Sequence, residues 1–264
     1  MLKKFGSLLF AECHMTFLSL KRYPMVPATL AITLYVIFLG IFLGFKYFAV
    51  DFGGDGATSL LLGYLLWTYA MFAINDSAEA ISNDIHTGIL EQIYTSPFPP
   101  LTITIVRSIA SFLNATIINA VIMVLALITV KVSLDTLVLG YSILVLLPML
   151  IGLYGFGLIL GGFTLIFVRT GQLGQILNFV LLFLGGVVIP ISSMPSAIRP
   201  ILALIPLSSA TNYIREIVAS SYFTILSWEY LKYLLLNGVL ALIGVCCFKY
   251  MNHIVRSKGN LGKY

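Results

Sequence analysis

The chain has 264 residues, of which 59% are hydrophobic and 9% are charged. A soluble domain carries about 25% charged residues, so this chain lacks the polar surface to stay in water, and a mean hydropathy of +1.03 agrees. The net charge of +5 does not indicate nucleic acid. The basic residues are scattered beside apolar runs, where Lys and Arg anchor helices, rather than gathered on one face.

The pattern predicts an all-α membrane protein with six transmembrane helices. Residues 1–23 come first, with Phe5, Leu9, Cys13, Phe17 and Leu20 on one helical face. They read as an interfacial helix lying on the cytoplasmic leaflet before Pro24 turns the chain inward; the alternative is a plain start of the first span. Interrupted apolar residues and no small-residue cleavage site argue against a secretory signal. The spans are expected at Tyr23–Phe45, Gly56–Asn75, Ser108–Val130, Thr136–Val168, Thr170–Ile198 and Tyr233–Phe248. A span needs about 20 residues, so the fourth must tilt, kink near Pro148 or protrude. The second is expected to leave the membrane near Asn75, because Asp76 and Glu79 would each cost roughly 2.5–3.5 kcal/mol at a helix centre. Glycines crowd the fourth and fifth spans, which suits close helix packing, with a flexible helix pair as the alternative.

Two segments outside the spans stand out. In residues 76–100, Ile81, Ile85, Ile89 and Ile93 recur every four residues, the face of one short amphipathic helix. Asn83 or Asp84 is expected to cap it, Gly88 weakens its middle, and acids and His86 line its other face. Ser96-Pro97 and Pro99-Pro100 stop it. Such a helix serves as a handle for a partner or as a surface-lying connector. Residues 190–228 combine Pro190, Pro195, Pro200 and Pro206 with apolar residues, and Pro200 to Ile214 is too short to span. This predicts re-entrant helices dipping into the outer leaflet before the last span.

With the N-terminus inside, the inner side holds Lys3, Lys4, Lys21, Arg22, Arg107, Arg169, Lys249, Arg256, Lys258 and Lys263. Lys46, Lys131, Arg199, Arg215 and Lys232 fall outside. Ten against five favours both termini in the cytoplasm. Cys13, Cys246 and Cys247 show no metal-ligand spacing, and the adjacent pair reads as packed small hydrophobes. No phosphate-binding loop of the Gly-x-x-x-x-Gly-Lys-Ser/Thr type occurs, so a pump built on this chain needs energy from a partner.

Glu79 to Pro97, with Gly88-Ile89-Leu90-Glu91 followed by Thr95-Ser96-Pro97, resembles the first cytosolic loop of type-2 permeases of ATP-binding-cassette exporters. A basic residue often precedes that glycine in the family; here His86 and Thr87 stand there. Phe183 to Arg215, Gly-rich and then Pro-Ser-rich and closing on an arginine, resembles the end of the family's fifth span and the stretch after it. The resemblance implies a single permease domain over 1–264, in a prokaryotic inner membrane, working as a dimer with a second permease chain. Two separate nucleotide-binding subunits would use ATP and Mg; this chain would hold no cofactor or metal and no catalytic residue. It also implies that the 76–100 helix is the coupling helix, with Asp84, Ile85, His86, Gly88, Ile89, Leu90 and Glu91 contacting the ATPase.

Trp67, Phe72, Asn114, Asn119, Tyr154 and Asn178 are candidates for lining a cavity for a small amphipathic, drug-like or lipid-like substrate; packing is the alternative for each. A stand-alone secondary transporter or channel would need ionisable residues within a span or a filter, and neither is evident. A membrane-embedded enzyme lacks a motif: His14, His86 and His253 are far apart in sequence, and no paired Asp or Ser–His arrangement sits in a span.

Overall fold

The computed structural model describes residues 2–48, 54–130, 132, 135–167, 170–220, 222–224 and 227–258. Lys131, Val168, Arg169 and Lys263, which enter the span and orientation expectations, lie outside the described residues. Every regular element among those described is a helix. The order is α1 (Leu2–Arg22), α2 (Met25–Phe48), α3 (Gly54–His86), α4 (Ile89–Thr95), α5 (Pro100–Val130), α6 (Thr136–Phe167) and α7 (Gly171–Leu184). A turn of 3-10 helix at Ile191–Ser193 precedes α8 (Arg199–Leu202), α9 (Pro206–Ser220) and α10 (Trp228–Lys258).

Five of these helices, α2, α3, α5, α6 and α10, are long and apolar enough to cross a membrane. The six-span expectation differs at its fifth member. The apolar stretch Thr170–Ile198 forms only the 14-residue α7, about 21 Å at 1.5 Å per residue, against a hydrocarbon core of about 30 Å. Hydropathy continues past Leu184, but the backbone does not. Gly186 takes φ +77° and Pro190 follows, so the helix stops while the apolar residues go on. Elsewhere the helices outrun the expected spans. α3 continues without a break past Asp76 and Glu79 to His86, α5 starts at Pro100, and α10 runs from Trp228 to Lys258. Proline suits the first helical position because its missing N–H is one that needs no partner there. α6 passes through Pro148 as one helix.

The end of α7 is finished by side chains of α9. Ser208, Thr211 and Arg215 share one face of α9. Ser208 donates to the Leu184 carbonyl at 3.2 Å, Thr211 to Gly185 at 2.7 Å, and Arg215 to Gly186 at 2.7 Å and Val187 at 3.3 Å. A helix leaves its last four carbonyls without partners, and inside lipid each must be satisfied by protein. Burial lowers the pKa of the Arg215 guanidinium. Glu216, its neighbour in sequence, is exposed on another face.

α6 is the central helix, packed along α10 and α3. Its glycines set the approach. A Cβ on Gly155 would lie 2.6 Å from the Leu240 carbonyl oxygen of α10, and one on Gly244 would meet Gly155 itself. Close packing is thus the reading that Gly152, Gly155, Gly157, Gly161 and Gly162 of α6 satisfy. Tyr64 donates to the Leu34 carbonyl at 2.6 Å, tying α3 to α2, and Tyr233 donates to Val145 at 2.8 Å, tying α10 to α6. The outward faces of α2, α5 and α10 expose Ile32, Val36, Ile128, Leu235 and Leu242, as lipid contact requires. Cys246 is exposed on such a face and Cys247 is half-buried, so the pair does not pack inside as the sequence suggests.

Gly155→Ala should destabilise the protein by about 1–3 kcal/mol, the usual cost of overpacking. Gly140→Ala, where nothing lies within 4 Å, should not. Thermal unfolding in detergent checks the pair.

Candidate functional site

The N-terminal helix and the loop between α3 and α5 gather at one end of the bundle. α1 lies there against α5, and so do the end of α3, α4, and the last turns of α6 and α10. Asp84, near the C-terminus of α3, has a side chain only 7% exposed. A buried carboxylate is costly unless paired. Arg107, two turns into α5, supplies the partner: Nη1 donates to Asp84 Oδ2, and Nε donates to Glu12 Oε1 of α1 at 3.3 Å. One guanidinium therefore joins α1, α3 and α5. The sequence places Asp84 at a helix cap or on a solvated face; both assignments are corrected, because Asn83 and Asp84 sit inside α3 and Arg107 draws the carboxylate inward.

That same ion pair turns α1. Its half-buried residues include Leu9, Cys13 and Leu20 from the expected apolar stripe, but also Glu12 and Thr16, while Phe5 and Phe17 are exposed. The helix faces α5 with a mixed surface.

Beyond Asp84 the chain reverses. Thr87 N–H donates to the Asn83 carbonyl at 2.9 Å and Gly88 N–H to Ile85 at 3.2 Å. Gly88 then takes φ +72° and ψ 7°, the left-handed region that costs other residues about 1–2 kcal/mol. The expected single helix carrying Ile81, Ile85, Ile89 and Ile93 is thus two pieces, the end of α3 and the seven-residue α4. Ile81 and Ile93 are buried, Ile85 is half-buried, and Ile89 is 39% exposed. Leu90 packs with Ile81, Leu158, Leu165, Phe248 and Val255, pinning α4 to the ends of α3, α6 and α10. Tyr94 donates to Asn252 Oδ1, and Arg256 lies 4.9 Å from the Tyr94 ring centroid. Burial raises the Tyr94 pKa and the Arg256 charge opposes that rise. α4 ends at Thr95, where the prolines predict a stop.

What remains uncovered is a tip: His86, Thr87, Gly88, Ile89, Glu91 and Gln92 are all exposed. Of the seven residues assigned to ATPase coupling, His86, Gly88, Ile89 and Glu91 are on this tip. Asp84, Ile85 and Leu90 are beneath it.

The six cavity candidates do not converge on one chamber in the single chain. Trp67 and Phe72 are buried, and Trp67 Nε1 donates to the Asn178 carbonyl at 2.9 Å. Asn119 accepts from Thr68 and donates to Ala115 at 2.9 Å. Tyr154 is half-buried against the main core. Asn114 lines a cavity beside α1. Glu12 and Arg107 do not stand out in the sequence as functional, because an ion pair spanning 95 positions leaves no local pattern; only the cost of one arginine inside an apolar helix hints at it.

Five helices of spanning length around a glycine-packed core, with a short helix folded against one end, define a multi-pass membrane protein. The profile of the ABC-2 type transporter family matches residues 9–219, most of the chain, and the chain belongs to that family. It is thus a transmembrane subunit of an ATP-binding-cassette transporter, in a family whose membrane subunit is normally non-catalytic and works with an ATP-binding subunit. No curated protein matches the chain closely enough to add a second comparison.

Arg107→Gln leaves the buried Asp84 uncompensated and should cost about 3–5 kcal/mol. Adding Asp84→Asn should restore part of the loss. Unfolding midpoints of the single and double variants check the coupling.

Proposed function

We propose that the chain is the permease of an exporter and that the tip His86–Gln92 is the seat of its ATP-binding subunit. The single observation carrying this is the construction of the tip: a left-handed turn at Gly88 presents Ile89 and Glu91 outward, while Leu90 fastens the same short helix to three long ones. A displacement applied at Ile89 and Glu91 is passed directly to α3, α6 and α10. Closure of two ATPases around ATP and Mg would drive two such tips together and switch the opening of a dimeric cavity across the membrane.

In this reading the two permease chains form a homodimer or heterodimer, the N-terminus and the end of α10 are cytoplasmic, and the membrane is a prokaryotic inner membrane. α7, which exposes Leu173, Ile176, Phe179 and Phe183, is covered by lipid or the second chain. The segment 190–228 sits in the outer leaflet, supported by the way α9 closes the Leu184 carbonyl at the end of α7 and the Gly185, Gly186 and Val187 carbonyls just after it. The cargo is a small amphipathic molecule, with Trp67, Phe72, Asn119, Tyr154 and Asn178 acting through the dimer pathway.

Glu91→Lys and Gly88→Trp should leave the protein inserted while abolishing transport and its coupling to ATP hydrolysis in vesicles reconstituted with the ATPase. Normal export by both variants would refute the docking assignment.

A further inference from the structure

Beside the Arg107 clasp, α1, α3 and α5 border a half-open cavity of about 300 Å³ lined by Glu12, Asp76, Glu79, Arg107, Ser111 and Asn114, among others. Three carboxylates face one guanidinium, and that guanidinium is already engaged by Glu12 and Asp84. Asp76 accepts from Ser111. Neither Asp76 nor Glu79 has a cationic partner among the described residues. The carboxamide oxygen of Asn114 is shielded from solvent and has no hydrogen-bond partner. The cavity thus offers two carboxylates without a cationic partner and one unpaired carboxamide oxygen, all acceptors, and a ligand that fits them brings donors and positive charge.

A second cavity, of about 450 Å³, adjoins it. Its walls are mostly apolar, formed by Met15, Leu20, Val26, Pro27, Leu30 and Ile118 of α1, α2 and α5 and the residues between α1 and α2. Thr16 and Asn114 line both chambers. An acidic compartment thus opens beside an apolar one, each within or near the size range of small-molecule sites. A metal ion does not fit: among the described residues no three His, Cys, Asp or Glu side chains come together to hold one.

We propose that this two-part cavity binds an amphipathic organic cation, its ammonium group hydrogen-bonded to Asp76, Glu79 and the Asn114 oxygen and its apolar body between α1, α2 and α5. The ammonium supplies both the missing donors and the counter-charge. This rests on the permease reading for its consequence, since it makes the exported cargo a cationic amphiphile taken up beside α1.

The test uses the purified full chain in nanodiscs without any ATPase. Binding of 2-(2-naphthyl)ethylammonium is followed by fluorescence anisotropy, against the neutral alcohol of the same shape. The cation should bind at least tenfold more tightly than the alcohol. Glu79→Gln, on an exposed side chain, and Asp76→Asn should each reduce that preference several-fold, while Glu216→Gln, exposed on α9 away from the cavity, should not alter it. Equal binding of alcohol and cation, no saturable binding, or an unchanged preference in Glu79→Gln and Asp76→Asn would overturn the proposal. Cation binding in this assay together with normal export by Glu91→Lys and Gly88→Trp in vesicles reconstituted with the ATPase would instead refute the permease coupling and leave the site standing.

Discussion

One guanidinium holds the working end of this molecule together. Arg107 of α5 reaches Asp84 on α3 and Glu12 on α1, so three helices that are distant in sequence share a single charge-assisted contact. Removing a partner from such a buried cluster costs far more than the cluster contributes when complete, so the three groups persist together. The contact fixes α1 alongside α5 and shapes the acidic chamber. Hydrophobic packing of α4 with residues of α3, α6 and α10 holds the tip against the bundle.

The membrane imposes the second constraint. In hydrocarbon every backbone group must find a partner within the protein, which long helices satisfy by themselves. α7 is shorter than a span, and side chains of α9 close the Leu184 carbonyl at its end and the Gly185, Gly186 and Val187 carbonyls that follow it. The short helix and the broken segment after it form one unit, which explains why prolines and glycines are tolerated there amid so many apolar residues.

Much of the fold is legible in the sequence because hydropathy and helix length are local properties. The all-helical class, the N-terminal helix before Pro24, the long fourth segment and the stop after Thr95 come from composition, period and proline chemistry. The misplacements share one cause. Hydropathy measures what a residue prefers, not whether its backbone continues, so Thr170–Ile198 reads as a span although it breaks after Leu184. The four-residue isoleucine period likewise predicts a continuous helix through Gly88, where a left-handed residue divides it. The clasp is not readable, since Glu12, Asp84 and Arg107 meet only through tertiary packing. The tip is legible in outline from Gly88-Ile89-Leu90-Glu91, but which of its residues point outward is settled by burial.

The proposed coupling requires the tip to face the cytoplasm and to be covered by an ATP-binding subunit. The most direct measurement places one cysteine at Glu91 in a chain whose Cys13, Cys246 and Cys247 are replaced by serine. Labelling by a membrane-impermeant maleimide is then compared in inside-out and right-side-out vesicles. Labelling is expected only in inside-out vesicles, with protection when the ATPase is bound. Labelling from the external side, or labelling unaffected by a bound ATPase, would contradict the coupling.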